Sequence, residues 1–62
     1  MIAYIKGKVA LIQLDHVIVE AYGIGYQIHF SRPDKVKLNE EIQMFTYQHI
    51  REDENTLYGF LS

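Results

Sequence analysis

Cysteine and tryptophan are absent from this 62-residue chain, and proline occurs once. Without cysteine there is neither a disulfide framework nor a thiolate zinc site. No apolar run approaches the ~18 residues that a transmembrane helix needs. The opening Met1-Ile2-Ala3-Tyr4-Ile5-Lys6-Gly7 lacks the basic segment and apolar core of a secretory signal. Those two absences make the cytoplasm the simplest location, with no membrane partner. A basic excess is missing too, since 6 Lys and Arg face 8 Asp and Glu for a net charge of −2. Modules that hold nucleic acid by charge alone carry the opposite balance. Any role on nucleic acid must therefore rest on architecture or discrimination. The length allows one small domain, and such a chain buries only about 60 % of the surface its unfolded form exposes. Its core must come from apolar side chains alone, or be completed by a partner subunit.

What is present are strand formers: Val, Ile and Phe, with 5 Tyr. Ile2, Tyr4 and Lys6 share one face with Ile5 on the other, Gly7 interrupts, and Val9, Leu11 and Gln13 resume the run. A lone glycine in such a pattern predicts a bulge or barrel corner at Gly7. Asp15-His16 reads as a turn, followed by a β-branched strand from Val17 to Ala21. Gly23 and Gly25 bracket Ile24 and predict a tight reversal there. Tyr26, Ile28 and Phe30 then mark a buried face by alternation. The pattern breaks at Ser31-Arg32-Pro33-Asp34-Lys35, where Ser31 suits an N-cap and Pro33 a first turn, so a short helix or 3₁₀ turn is expected. Ile42 to Ile50 reads as a long strand, with Phe45 and Tyr47 on one face and Ile42, Met44 and Thr46 on the other. Apolar residues on both faces suggest a strand shared between core and interface. Arg51 to Asn55 reverse the chain, and Thr56 to Leu61 close it. Five strands with one short helix between the third and fourth give the element order of an all-β, five-stranded Greek-key OB-fold barrel. Periodicity alone leaves an SH3-like barrel open.

Little in the sequence points to catalysis or to a cofactor. His16, His29 and His49 lack ligand spacing, and Asp15 beside His16 falls short of three or four converging donors. They read as isolated surface histidines, with no metal. Ser31 and Ser62 have no recognisable base and orienting partner. Gly23-Ile24-Gly25 lacks the third glycine of a dinucleotide loop. Tyr26 and Tyr47 alternate with apolar residues and read as core, whereas Tyr4, Tyr22 and Tyr58 stay open as base-stacking residues. Lys6 and Lys8, on one face around Gly7, are candidate phosphate contacts, although a solvated strand face accounts for them better.

The most informative stretch is Arg51-Glu52-Asp53-Glu54, three consecutive carboxylates at a predicted hairpin tip. Such a tip repels phosphate rather than gripping it. Unit charges 4 Å apart interact by about 1 kcal/mol in water, and screening over about 10 Å keeps the effect local. Polar tips also occur simply because they are soluble.

Taken in order, Met1-Ile2 with Lys6-Gly7, Gly23-Ile24-Gly25-Tyr26-Gln27-Ile28, Thr46-Tyr47-Gln48-His49-Ile50-Arg51-Glu52-Asp53 and Leu57-Tyr58-Gly59-Phe60 resemble the N-terminal domain of the RuvA family. The resemblance runs essentially from end to end and implies one OB-fold domain over residues 1–62. It further implies a non-catalytic module that binds four-way (Holliday) junction DNA, assembles as a homotetramer and serves branch migration in recombination and repair. Glu52 and Asp53 match the family's acidic pin, which steers strands at the junction centre, with Arg51 and Glu54 as supporting residues. Glu54 departs from the small residue the family often carries there. The helix-hairpin-helix domain that supplies most DNA grip, and the domain that contacts the ATP-hydrolysing RuvB motor, are implied to lie outside this chain. The alternative expectation is a protein-interaction barrel with no nucleic-acid role. A general single-strand-binding OB-fold is a third, which the acidic balance disfavours.

Overall fold

Apolar residues at alternate positions build five strands: β1 (Tyr4–Ile12), β2 (His16–Ala21), β3 (Ile24–His29), β4 (Glu41–Arg51) and β5 (Glu54–Phe60). The structure, a computed structural model, describes residues 2–61. The strands close into a barrel in the order β1-β2-β3-β5-β4. All seams are antiparallel except the one between β3 and β5, which is parallel and joined at Ile28↔Leu57 and His29↔Tyr58. This is the OB-fold barrel that the order of elements predicts.

β1 serves two partners. Its first half pairs with β4, from Tyr4↔Phe45 to Lys8↔Glu41, and its second with β2, from Lys8↔Glu20 to Ile12↔Val17. Passing from one to the other requires a bend, and the register shifts between Val9 and Leu11. There the Asn39 N–H, on a residue at φ 69°, donates to the Val9 carbonyl at 2.8 Å. Gly7 is therefore not the bulge. A Cβ at Gly7 would fall on the Glu20 carbonyl oxygen, so glycine is there to let two backbones approach closely.

The interior holds Ile5, Val9, Val17, Val19, Ile28, Phe30, Val36 and Met44. Gly59 makes room for it, because a Cβ there would meet Ile28 Cγ2 at 2.6 Å and Met44 Cγ at 2.9 Å. Thr46 is the one buried polar side chain among the described residues, and its hydroxyl donates to the Ile2 carbonyl at 2.6 Å. The Thr46 N–H donates to the Ala3 carbonyl at 2.9 Å, and the Ile2 N–H to Gln48 Oε1 at 3.0 Å. The N-terminal residues are thus stitched along β4 by the polar side chains that alternate with its aromatic ones.

Other details depart from the sequence pattern. The β2–β3 reversal lies at Tyr22 (φ 54°) and Gly23 (φ 82°), both left-handed as a two-residue type I′ hairpin demands. Ile24 and Gly25 consequently belong to β3. The predicted helix is one 3₁₀ turn, Pro33–Lys35, preceded by Arg32 with no side-chain cap, so Ser31 does not act as N-cap. Tyr47 is not core: it faces outward and is half exposed, while Tyr26 packs against the core edge.

Candidate functional site

The β4–β5 hairpin turns at Glu52 and Asp53 alone, with Arg51 opposite Glu54. Neither turn residue takes positive φ, so the turn demands no glycine or asparagine and both positions can carry carboxylates. Every residue from 50 to 55 is exposed, which places this tip beyond the packed barrel. The three-carboxylate tip expected from sequence is thereby shortened. Glu54 starts β5, where its Oε1 accepts from the Thr56 hydroxyl at 2.8 Å.

Arg51 does not neutralise these carboxylates. Its Nε donates to His49 Nε2 at 2.7 Å, and among the described residues it forms no ion pair. Glu52 and Asp53 are left as a concentrated, solvent-facing negative charge. Below them, Gln48 Nε2 donates to Asn55 Oδ1 at 3.0 Å while Gln48 Oε1 accepts from Ile2. This side chain braces the stem of the hairpin against the N-terminal segment.

Lys6 and Lys8 project outward from β1 beside Gln43 and Glu41, at the start of β4. Lys8 also stands opposite Glu20. At about 3.3 Å per residue, roughly 30 Å of β4 separates Lys8 from the tip. The structure therefore does not bring the candidate phosphate contacts together with the acidic pair, and it surrounds Lys8 with carboxylates.

Aromatic residues form two outward rows that sequence reading missed. Tyr4, Phe45 and Phe60 lie in register across β1, β4 and β5 and are about half exposed. In the neighbouring row, His16 opposes His29, His29 opposes Tyr58, and Tyr58 opposes Tyr47. The histidines are accordingly gathered rather than isolated. Among the described residues, no group of three or more acidic, histidine or cysteine side chains is close enough to hold a metal. At the outer end, His16 Nδ1 lies 2.8 Å from Asp15 Oδ1, and this hydrogen bond holds the Asp15 carboxyl below its ordinary pKa of 3.8.

The profile described as the RuvA N terminal domain matches residues 1–59. This chain belongs to the RuvA N-terminal domain family. Similar proteins include the Holliday junction branch migration complex subunit RuvA of Alkaliphilus oremlandii, 45% identical over 64 residues that cover 100% of this chain and 33% of that protein. The subunit of the same name from Lachnospira eligens is 45% identical over 65 residues, covering 100% of this chain and 31% of that protein. That of Bacillus velezensis is 38% identical over 60 residues, covering 97% and 30%. The chain thus spans about a third of the length of the RuvA relatives it matches.

Proposed function

We propose that this barrel is the N-terminal, non-catalytic module of a Holliday-junction branch-migration subunit. It binds four-way junction DNA as part of a homotetramer, and Glu52 and Asp53 act as an electrostatic separator at the junction centre. The observation that carries this reading is the projecting two-residue tip, whose carboxylates have no cationic partner within the hairpin. The relatives' shared role in a Holliday junction complex supports it. The exposed Tyr4–Phe45–Phe60 row supports self-assembly, because apolar side chains ranked in register on an outer sheet face gain by being covered. Grip on the DNA arms, and contact with the ATP-hydrolysing RuvB motor, fall to other parts of the longer protein. Arg51, turned to His49, and Glu54, turned to Thr56, shape the stem rather than the tip. Lys6 and Lys8 are kept as peripheral phosphate contacts. A cytoplasmic location follows from work on the chromosome.

Neutralising the tip tests the reading. A carboxylate about 8 Å from a phosphate is disfavoured by about 0.25 kcal/mol after water and salt screening. Around four such pairs per tip amount to about 1 kcal/mol, or about fivefold in affinity. Glu52→Gln with Asp53→Asn, in the native-length protein, is expected to tighten duplex binding by that factor and to lower the preference for junctions. Unchanged duplex affinity would remove the separator role. The same aromatic row also favours a protein-interaction barrel without a nucleic-acid role, and that reading predicts no binding of junction or duplex at all.

A further inference from the structure

The second outward row carries chemistry that the pin does not use. His16, His29, Tyr58 and Tyr47 stand in register on β2, β3, β5 and β4. At about 4.8 Å between strands they span about 14 Å. Ring centroids are 6.3 Å apart for His16 and His29, and 5.5 Å for His29 and Tyr58. His49, two residues beyond Tyr47 on the same face of β4, lies 6.3 Å from Tyr47 and 6.4 Å from Tyr58. Tyr47 and Tyr58 are 50% and 40% exposed, and the three imidazoles are partly exposed. The inward side of the same strands is already filled by Val17, Ile28 and Met44, so these rings have no task in the core.

We propose that this row is a stacking platform for the unpaired bases of single-stranded nucleic acid. Every base offers a π face, and aromatic side chains on an outer barrel surface hold successive bases without reading sequence. The row crosses β2 and β3 between the β1–β2 loop (residues 13–15) and the β4–β5 turn, the position at which OB-folds take oligonucleotides. Within the row itself no negative charge opposes that occupant. The row contains no carboxylate, Arg51 stands at one end on His49, and Asp15 marks the other end, where His16 engages it. The rings also differ from the neighbouring row, where Tyr4 alone carries a polar atom. Each one bears a ring nitrogen or a hydroxyl that a dry contact with a second copy would leave unpaired, whereas a strand supplies partners from base edges and phosphates. The platform adjoins the acidic tip, so strands that the tip parts would meet it directly. In that respect it extends the proposed function, but it acts on single strands and can be tested apart from junctions.

Binding of a labelled mixed-sequence DNA oligonucleotide to the full chain is read by anisotropy and by tyrosine fluorescence, which no tryptophan obscures. The expected result is saturable binding that quenches tyrosine emission and falls only weakly with salt, since stacking releases few counterions. Tyr58→Leu and Tyr47→Leu are each expected to lower affinity on the order of tenfold. Tyr22→Asn, at the β2–β3 turn away from the row, should leave it unchanged. Absence of binding overturns the proposal. So does full binding by Tyr58→Leu and Tyr47→Leu variants whose thermal melts match wild type, or a steep salt dependence removed by Lys6→Gln. A shift to lower mass in sedimentation on Tyr47→Leu would assign the row to a second copy and also overturn it. Failure of the pin reading shows separately, as duplex affinity insensitive to Glu52→Gln with Asp53→Asn while oligonucleotide binding persists.

Discussion

Replacing Gly59 by alanine tests whether the Leu57-Tyr58-Gly59-Phe60 strand is shaped by the core. Gly59 does not occupy a left-handed conformation, so backbone freedom is no reason for glycine there. The reason is space: the added methyl would meet Ile28 Cγ2 at 2.6 Å and Met44 Cγ at 2.9 Å, with Met44 Sδ closer still. Both neighbours are fully buried, at 0% exposure. Met44 is flexible and can yield in part, but β-branched Ile28 is stiff. Overpacking of this kind costs about 1–3 kcal/mol. A domain of this size has about 3–9 kcal/mol of stability in all, and each kcal/mol moves Tm by about 4–8 °C. Gly59→Ala should therefore lower Tm by about 10 °C, followed by circular dichroism, with a matching fall in the urea midpoint. Met44→Ala opens the same space, so the double variant should be less destabilised than the two single effects combined, by about 1 kcal/mol. A Gly59→Ala protein within about 0.5 kcal/mol of wild type, or strict additivity with Met44→Ala, would refute the packing argument.

Two further outcomes follow from local geometry. Tyr22 holds a left-handed conformation at the first position of a type I′ turn, so Tyr22→Asn should raise stability by about 0.5–1 kcal/mol in urea denaturation, and a loss would count against that turn. Asp15 titrates below its ordinary value because of its hydrogen bond with His16, so its contribution is present above pH 3.8 and is lost as pH falls through the depressed value. The urea midpoint of wild type should consequently exceed that of Asp15→Asn at neutral pH and converge with it in acid, and a constant gap would contradict the linkage.

Strand alternation made most of the fold legible. Ile5 and Val9, Val17 and Val19, and Ile28 and Phe30 fall inside the barrel where their spacing places them. The outward face of β4 was harder, because apolar residues occur on both faces of the strand. Tyr47 was accordingly read as core although Met44 and Thr46 hold the inward face. The ring row was hidden by turn placement. His16 and His29 are equidistant from Tyr22-Gly23, so a turn at those residues pairs them at once. A turn centred on Ile24 does not. Gly23 and Gly25 attracted that placement because glycine tolerates positive φ, yet the turn pairs Gly23 with Tyr22 and leaves Gly25 in β3. Glycine misled at Gly7 for a related reason, since a bulge and a close backbone approach leave the same mark in sequence. For the acidic tip the residues were plain, but the number at the reversal depends on register. Arg51 opposite Glu54 leaves two carboxylates there, not three.

The separator claim is tested most directly by fluorescence anisotropy of a labelled four-way junction and a matched duplex, each titrated at two salt concentrations with the native-length protein. The account predicts a junction preference at both salt concentrations, of which the tip's share, about fivefold, shrinks as added salt screens its carboxylates. Equal binding to both, or binding to neither, would contradict it.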